Sequence, residues 1–258
     1  MERPLIRPMA AAEIIASAFR LFQQHVALLV LIALIPQVVL VLMEYLLREI
    51  FASSPGFLFA VVLVIIIMNA VALSAITTAV AGAVLGFPPT VLQTYSLTLR
   101  NNLFSVVAAY VMTALIISVG FTLVFAPALI FGPGPAMVFG IIPTLVLGGF
   151  LALTIPMIVL ESLGPMRAIT RSFAMMREEL MKGVTVFGFV ILISGILPLL
   201  FQFVVGGGPF APILGAVIGS VTLPLAYTAN VILYFAMRAK EGYTEEQLEQ
   251  DLTRRMQR

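Results

Sequence analysis

Six long apolar stretches with almost no charge limit the folds open to this chain more than any other feature. A helix that crosses the hydrocarbon core needs about 20 apolar residues, because its rise is about 1.5 Å per residue. Stretches of that length lie at residues 26–47, 57–82, 103–131, 136–160, 183–205 and 211–237. Because apolar residues are continuous in them rather than alternating, they predict membrane-spanning helices and not the strands of a barrel.

The composition agrees with a chain that is surrounded mostly by lipid. Only 10% of the 258 residues are charged, whereas soluble domains carry about 25%. The mean hydropathy of +1.13 leaves too few polar residues to cover a soluble core of this size. We therefore expect one polytopic membrane domain over residues 1–240, followed by a cytoplasmic tail at 241–258 that contains a short solvated helix.

The basic residues predict how the domain is oriented. Of the 14 Lys and Arg residues, all except Arg48 fall within residues 3–20, 83–102, 161–182 and 238–258. Six spans bring these four segments to one side of the membrane. Lys and Arg are enriched in cytoplasmic loops, so both termini are predicted to be cytoplasmic.

A spacing of 77 residues relates three turns that are rich in Pro and Gly. The turns contain Pro55, Gly132 and Pro209. The spacing predicts an internal repeat in which each unit is a hairpin of two spans, with all units in the same orientation. The alternative is coincidence, because turns recur at roughly regular intervals in any six-span protein. The predicted repeats cover about 9–85, 86–162 and 163–239.

Each predicted repeat begins with an amphipathic segment. Ile14, Ala18 and Phe22 share one face of the first segment, and Phe173 and Met176 share one face of the third. The second segment shows the same pattern more weakly. An apolar face opposite a basic, polar face is typical of a helix in the membrane interface. The sequence thus predicts an all-α integral membrane protein of three hairpin repeats, each preceded by a cytoplasmic interfacial helix.

Polar side chains inside the spans are the first candidates for a binding site. Asn69 stands out as the one strongly polar side chain near mid-membrane, and Tyr227 and Asn230 lie in the last span. An amide at such a depth usually bonds a neighbouring helix, at about 1 kcal/mol, but it can also contact a ligand headgroup. Gly215 and Gly219 form a small-xxx-small pair, which favours close helix packing.

The remaining candidate site residues are charged and lie at the predicted cytoplasmic ends of the spans. Glu161 ends the fourth span, and Arg167 or Arg171 is its expected partner. We interpret this pair as a structural clamp between the span and the next helix, with a proton carrier as the alternative. Arg20 and Arg100 extend the same basic surface, which is suited to lipid headgroups.

The chain lacks the residue sets that catalysis or metal binding would need. It has one His and no Cys, which excludes thiolate and multi-His metal sites. No Ser/His/Asp set, paired carboxylates or phosphate-binding Gly-Lys loop is present. We therefore expect no enzyme activity, no cofactor and no nucleic-acid partner, and an intramembrane enzyme ranks third among the hypotheses.

Two short segments resemble the membrane domain family associated with glycerophosphodiester phosphodiesterases. They are residues 13–25 (EIIASAFRLFQQH), which lead into a span with Pro36, and residues 161–173 (ESLGPMRAITRSF). The resemblance would cover most of residues 9–238. In that family the membrane domain is sometimes fused to a catalytic barrel, which this sequence lacks. The resemblance implies a role in lipid or envelope metabolism in a bacterial inner membrane, and it transfers no catalytic residue.

The sequence leaves two function classes open. The leading hypothesis is a non-enzymatic membrane domain that binds membrane lipids or membrane protein partners, based on its basic amphipathic helices. The alternative is a small permease with its site at the repeat interface, based on the parallel repeats and the proline-containing spans. A permease needs a polar central cavity, and Asn69 alone hardly supplies one.

Overall fold

The computed structural model describes residues 5–51, 56–101, 103–205, 211–243, 246, 247 and 250, and in these ranges all regular secondary structure is helical. Six helical segments are long and apolar enough to cross a membrane, as expected for a polytopic helical membrane protein. They are Val26–Leu47, Phe59–Val84, Leu103–Phe131, Pro133–Glu161, Leu180–Val204 and Ala211–Lys240. Most of the predicted tail, and the turn residues Pro55 and Pro209, lie outside the described residues.

The chain runs through eleven α-helices in its described part. They are α1 (Ala11–Gln24), α2 (Val26–Phe51), α3 (Gly56–Val84), α4 (Val91–Asn101), α5 (Leu103–Ala128), α6 (Pro133–Leu151), α7 (Thr154–Glu161), α8 (Pro165–Met176), α9 (Leu180–Ile191), α10 (Leu197–Val205) and α11 (Ala211–Lys240). A 3₁₀ turn (Leu129–Phe131) ends the third span, and a π-helical turn (Leu192–Ile196) joins α9 to α10. The fourth and fifth spans are therefore each built from two helices.

Three short helices, α1, α4 and α8, each precede a span. The spans that follow them begin at Val26, Leu103 and Leu180. In α1 and α8 the apolar stripe packs against the protein itself. Ile14 of α1 and Met176 of α8 are fully buried, because α1 lies on α9 and α11 while α8 lies on α5, α6 and α7.

The last span forms the core of the bundle. α11 packs against α1, α2, α3 and α9, and Ile232, Tyr234 and Phe235 on it are almost completely buried. The third span is the opposite case, since few of its residues are buried inside the bundle. Leu123, for example, is 70% exposed, as expected for a side chain that meets lipid.

The break between α6 and α7 is a consequence of Pro156. Proline has no N–H, and its ring clashes with the carbonyl four residues earlier, here that of Ala152. Backbone groups released in this way must find other partners inside a membrane. At this break the hydroxyl of Ser172 of α8 donates to the Phe150 carbonyl at 2.6 Å and accepts from the Leu153 N–H at 3.3 Å.

The same problem arises in α2, where Pro36 frees the carbonyl of Ile32. The hydroxyl of Tyr95, on α4, donates a hydrogen bond to that carbonyl. Burial raises the pKa of Tyr95 above its usual range, so the phenol stays a neutral donor. The short helices α4 and α8 therefore each supply a hydrogen-bond partner at an irregular point of a span.

We expect Ser172→Ala to lower the free energy of unfolding by about 1–3 kcal/mol, because two buried backbone groups lose their partner. Ser96→Ala is the matched control, since Ser96 is exposed and bonds only the Gln93 carbonyl of its own helix. The measurement is the thermal midpoint of each variant in the same detergent. Equal midpoints for the two variants would contradict this role of Ser172.

Candidate functional site

Three amide side chains meet in one cavity between the spans. Gln37 of α2, Asn69 of α3 and Gln202 of α10 line a half-open cleft of about 330 Å³, which Gly215 and Ala216 of α11 close on a further side. We call this space the amide cleft. Its remaining walls are aliphatic, from Leu40, Val41, Leu47, Val61, Val64, Ile65 and Pro212. The cleft therefore joins a hydrogen-bonding surface to an apolar one.

Two glycines of α11 make room for the amides. A Cβ atom on Gly215 would lie 3.2 Å from Nε2 of Gln202, and one on Gly219 would lie 3.4 Å from the side-chain amide carbon of Gln37. The pair that the sequence assigned to helix packing thus accommodates polar side chains as well. Larger residues at these positions would press on Gln37 and Gln202.

Two of the three amides lie near the middle of their spans. Gln37 comes eleven residues after the start of α2 at Val26, which is about 16 Å along the helix. Asn69 comes ten residues after Phe59, where the second span begins, which is about 15 Å. Both therefore lie near the middle of a hydrocarbon core about 30 Å thick. Gln202 lies three residues before the end of α10.

Asn69 is therefore not the only strongly polar side chain at this depth, and that reading of the sequence was wrong. The Asn69 amide nitrogen donates to the Ile65 carbonyl at 2.9 Å, one turn earlier in the same helix. Its bond is internal to α3, so the amide does not serve as a link to a neighbouring helix. Donor and acceptor capacity of Asn69 remains for a ligand, since an amide has two N–H groups and one carbonyl.

Tyr227 and Asn230 line a second cavity, which we call the inner chamber. It measures about 190 Å³ and is bounded by α3, α5, α6, α7, α9 and α11. Thr77, Tyr110, Thr113 and Thr154 supply its other polar groups, and all of these residues are uncharged. The described part of the chain thus contains two separate cavities whose largely apolar walls carry some polar groups.

Glu161 and Arg171 form the predicted clamp as the centre of a larger ionic cluster. The Glu161 carboxylate pairs with Arg171, accepts a hydrogen bond from the Tyr234 hydroxyl at 3.0 Å, and lies 3.5 Å from Nε of Arg238. Glu241 completes the cluster, with its Oε2 2.7 Å from Arg238 and 3.4 Å from Arg171. Two carboxylates and two guanidinium groups balance in charge, which makes the burial of Glu161 and Arg238 tolerable.

The cluster ties three elements together at one end of the bundle. Glu161 ends α7, Arg171 is on α8, and Arg238 is in the last turn of α11. The Arg238 side chain is 6% exposed, and its guanidinium carbon lies 3.5 Å from the ring centroid of Tyr243. Tyr234, Arg238 and Glu241 did not emerge from the sequence, although the spacing of 234 and 238 places both on one helix face.

The other predicted site residues lie apart from both cavities. Arg20 is exposed on α1, where it bonds Ser17 of the same helix at 3.4 Å. Arg100 is exposed in the last turn of α4. Arg167 is exposed on α8, and the structure gives it no ion pair within the described residues. These three side chains remain available to headgroups or solvent.

A second ion-pair group lies beside the ionic cluster. Nζ of Lys240 is 2.9 Å from Glu179 and 3.4 Å from Glu178, and Lys182 lies 3.4 Å from Glu179. The hydrogen bond from Lys240, followed by the charge of Lys182, holds the pKa of Glu179 below its ordinary value. These contacts connect the end of α11 to the start of α9.

Neither cavity is lined by a set of side chains that could bind a metal ion. Among the described residues no group of three or more His, Asp or Glu side chains could hold a metal ion. No protein-family model, curated protein or solved structure matches this chain. The resemblance to the phosphodiesterase-associated membrane domains therefore stays a prediction.

We expect Arg238→Met to lower the free energy of unfolding by about 2 kcal/mol, because the buried carboxylate of Glu161 loses one of its two cationic partners. Arg167→Met is the control, since it removes the same charge from an exposed position of α8 and should change stability by less than about 0.5 kcal/mol. Reversible unfolding in mixed micelles gives both values. A loss of the same size in the two variants would refute the structural role of the cluster.

Proposed function

We propose that the protein is a non-enzymatic membrane protein that binds a lipid, with the polar head of the lipid in the amide cleft. The observation that supports this most is the two-sided wall of the cleft, which pairs three amides with an aliphatic surface. A lipid has the matching division into a hydrogen-bonding head and an apolar tail. The amides carry no charge, so recognition depends on hydrogen bonds to the head rather than on its net charge.

The surroundings of the cleft fit the same proposal. Elsewhere on α3 the side chains of Val62 and Phe59 are 52% and 73% exposed, so acyl chains can lie along this helix. The exposed Arg20, Arg100 and Arg167 offer a separate, charged surface to headgroups. Salt screens the attraction between the arginines and charged headgroups, so lipid bound in that way is released at high salt. Lipid that is hydrogen-bonded in the cleft is not released by salt.

The proposal includes the arrangement in the membrane. Helices α2, α5 and α9 begin at Val26, Leu103 and Leu180, and this constant spacing of 77 residues supports three hairpin repeats in the same orientation. The basic residues near α1, α4, α8 and the end of α11 support placing that end in the cytoplasm. A bacterial inner membrane and an envelope or phospholipid role complete the proposal.

A small permease is the second candidate, and a specific observation favours it. Gln37 and Gln202 join Asn69 in one cavity, which provides the polar interior that a permease needs and that Asn69 alone could not supply. The lipid-binding and permease hypotheses predict different functions for the same cleft. Vesicle experiments separate them, because a permease moves solute across a sealed bilayer and a lipid-binding domain does not.

The test of lipid binding uses vesicles of phosphatidylethanolamine and phosphatidylglycerol. After extraction in mild detergent, we expect wild-type protein to retain phospholipid, measured by mass spectrometry, to the same extent at low and high salt. The double variant Gln37→Leu/Asn69→Leu should lose most of it, because the head loses its hydrogen-bond partners. Gln23→Leu, which removes an exposed amide of α1, should retain it.

Two outcomes would overturn lipid binding in the cleft. One is equal retention of phospholipid by the wild type, the double variant and the Gln23→Leu control. The other is retention that disappears at high salt, which would move the lipid to the basic surface. Uptake of small solutes by the same vesicles that is abolished by Asn69→Leu would favour the permease instead.

A further inference from the structure

The residues that line the amide cleft all come from one half of the bundle. Consecutive spans run in opposite directions, so the second, fourth and sixth spans end together, at the ionic cluster of Glu161 and Arg238. We call this the cluster end, and the opposite end of the bundle the far end. Leu47 ends the first span, whereas Val61 and Pro212 lie near the start of the second and sixth spans. These three residues therefore place the mouth of the cleft at the far end.

The amides follow the cleft from the far end to the middle of the membrane. Gln202 lies near the end of the fifth span and is exposed. Gln37 lies ten residues before Leu47, and Asn69 lies ten residues after Phe59, so both are about 15 Å from the far end. Gln202 thus stands at the rim of the cleft, while Gln37 and Asn69 stand at its floor.

The packing of the first two spans changes at the depth of this floor. Toward the far end, none of the described side chains of residues 37–47 in α2 or 57–69 in α3 is buried. Toward the cluster end, fully buried residues follow within a few positions. They are Leu29, Ile32, Ala33, Ala70, Ile76 and Ala79. The two helices are therefore loosely packed beside the cleft and closely packed beyond its floor.

The last span shows the same change along its length. None of residues 211–215 is buried, whereas Ala226 and Ala229 are fully buried. Closely packed protein interiors contain few voids larger than a water molecule, so a lipid head cannot pass through the half of the bundle at the cluster end. Among the described residues, the way into the cleft leads from the far end.

We infer that the amide cleft takes its lipid from the membrane leaflet at the far end and is closed to the leaflet at the cluster end. Since the ligand is the lipid of the proposed function, this inference rests on that proposal. A lipid head in the far-end leaflet starts at the depth of Gln202 and meets further amides as it moves inward. A lipid head in the other leaflet would first have to cross the packed side chains of Ile32 and Ile76. With the orientation proposed above, the far-end leaflet is the one that faces away from the cytoplasm.

The test follows lipid from a single leaflet into the cleft. Because the chain has no Cys, biotin can be attached to Arg177→Cys alone, at an exposed position of the cluster end. After reconstitution in vesicles of phosphatidylethanolamine and phosphatidylglycerol at a low protein-to-lipid ratio, streptavidin resin separates vesicles by the orientation of the protein. Cyclodextrin then replaces phosphatidylethanolamine in the outer leaflet of the vesicles with its deuterated form, and protein-free vesicles show how long the label stays there.

The two orientations should yield different lipid after extraction in mild detergent. Protein whose far end faces outward should retain mainly deuterated phosphatidylethanolamine, measured by mass spectrometry. Protein whose cluster end faces outward should retain mainly the unlabelled form.

A blocked cleft provides the matched control. Gly215→Leu fills the cleft beside Gln202 and should lose the retained lipid in both orientations, because a Cβ atom at this position already lies 3.2 Å from the amide. Gly134→Leu adds the same side chain near the far end of the fourth span, where a Cβ atom would meet nothing within 4 Å, and should behave as the wild type. An unchanged thermal midpoint shows that each variant is folded.

The outcomes separate this inference from the proposed function. Equal deuterated fractions in the two orientations, or a higher fraction when the cluster end faces outward, would overturn access from the far end while lipid binding stands. Absence of retained phospholipid from the wild type in both orientations would refute lipid binding in the cleft itself, and the inference with it.

Discussion

The fold depends on the fact that hydrocarbon cannot form hydrogen bonds with a protein backbone. Every N–H and C=O group within the six spans must find a partner inside the protein. Helices satisfy most of them, and irregular points of the spans create the exceptions. Two of these points are bonded from outside the span, by Tyr95 at the Ile32 carbonyl and by Ser172 at the α6–α7 break. The short helices α4 and α8 are thereby fixed against the bundle.

The last span brings the polar features of the molecule together. Along α11, Gly215 borders the amide cleft, Asn230 reaches the inner chamber, and Tyr234 and Arg238 belong to the ionic cluster. Asn230, Tyr234 and Arg238 follow one another at spacings of four residues, so they share one face of the helix. A single buried helix thus connects the two cavities to the charged end of the bundle.

The positions of the spans could be predicted from the sequence because lipid imposes a simple rule. A run of about 20 uncharged apolar residues is recognisable without any knowledge of its neighbours. The predicted third span, 103–131, has the bounds of the helical segment Leu103–Phe131. The break at Pro156 was harder to predict, because a proline in a span can either bend or interrupt the helix. At this break the backbone is bonded by Ser172, a residue of the next element.

The candidate site was harder to predict from the sequence, because it too depends on contacts between different helices. Asn69 was identified from its depth alone, but Gln37 and Gln202 gain significance only when the fold places them beside it. The pair of Glu161 with Arg171 is ten residues apart and was foreseen as one of two options. The partner Tyr234 is 73 residues away, and a contact over that distance depends on how the spans are arranged. The depth of a residue in the membrane follows from its position along a helix. Which residues of different helices come together does not follow from the sequence alone.

Immersion of the bundle in lipid is the claim on which both cavities depend, and the chain has no Cys, so single spin labels can be introduced directly. The decisive measurement is the collision rate of a nitroxide with oxygen, which concentrates in hydrocarbon, and with a water-soluble nickel chelate. Labels at Leu123→Cys and Val62→Cys in nanodiscs should collide with oxygen and hardly with nickel, while a label at Arg177→Cys, exposed at the end of α8, should do the reverse. Nickel access at Leu123 as high as at Arg177 would contradict the account.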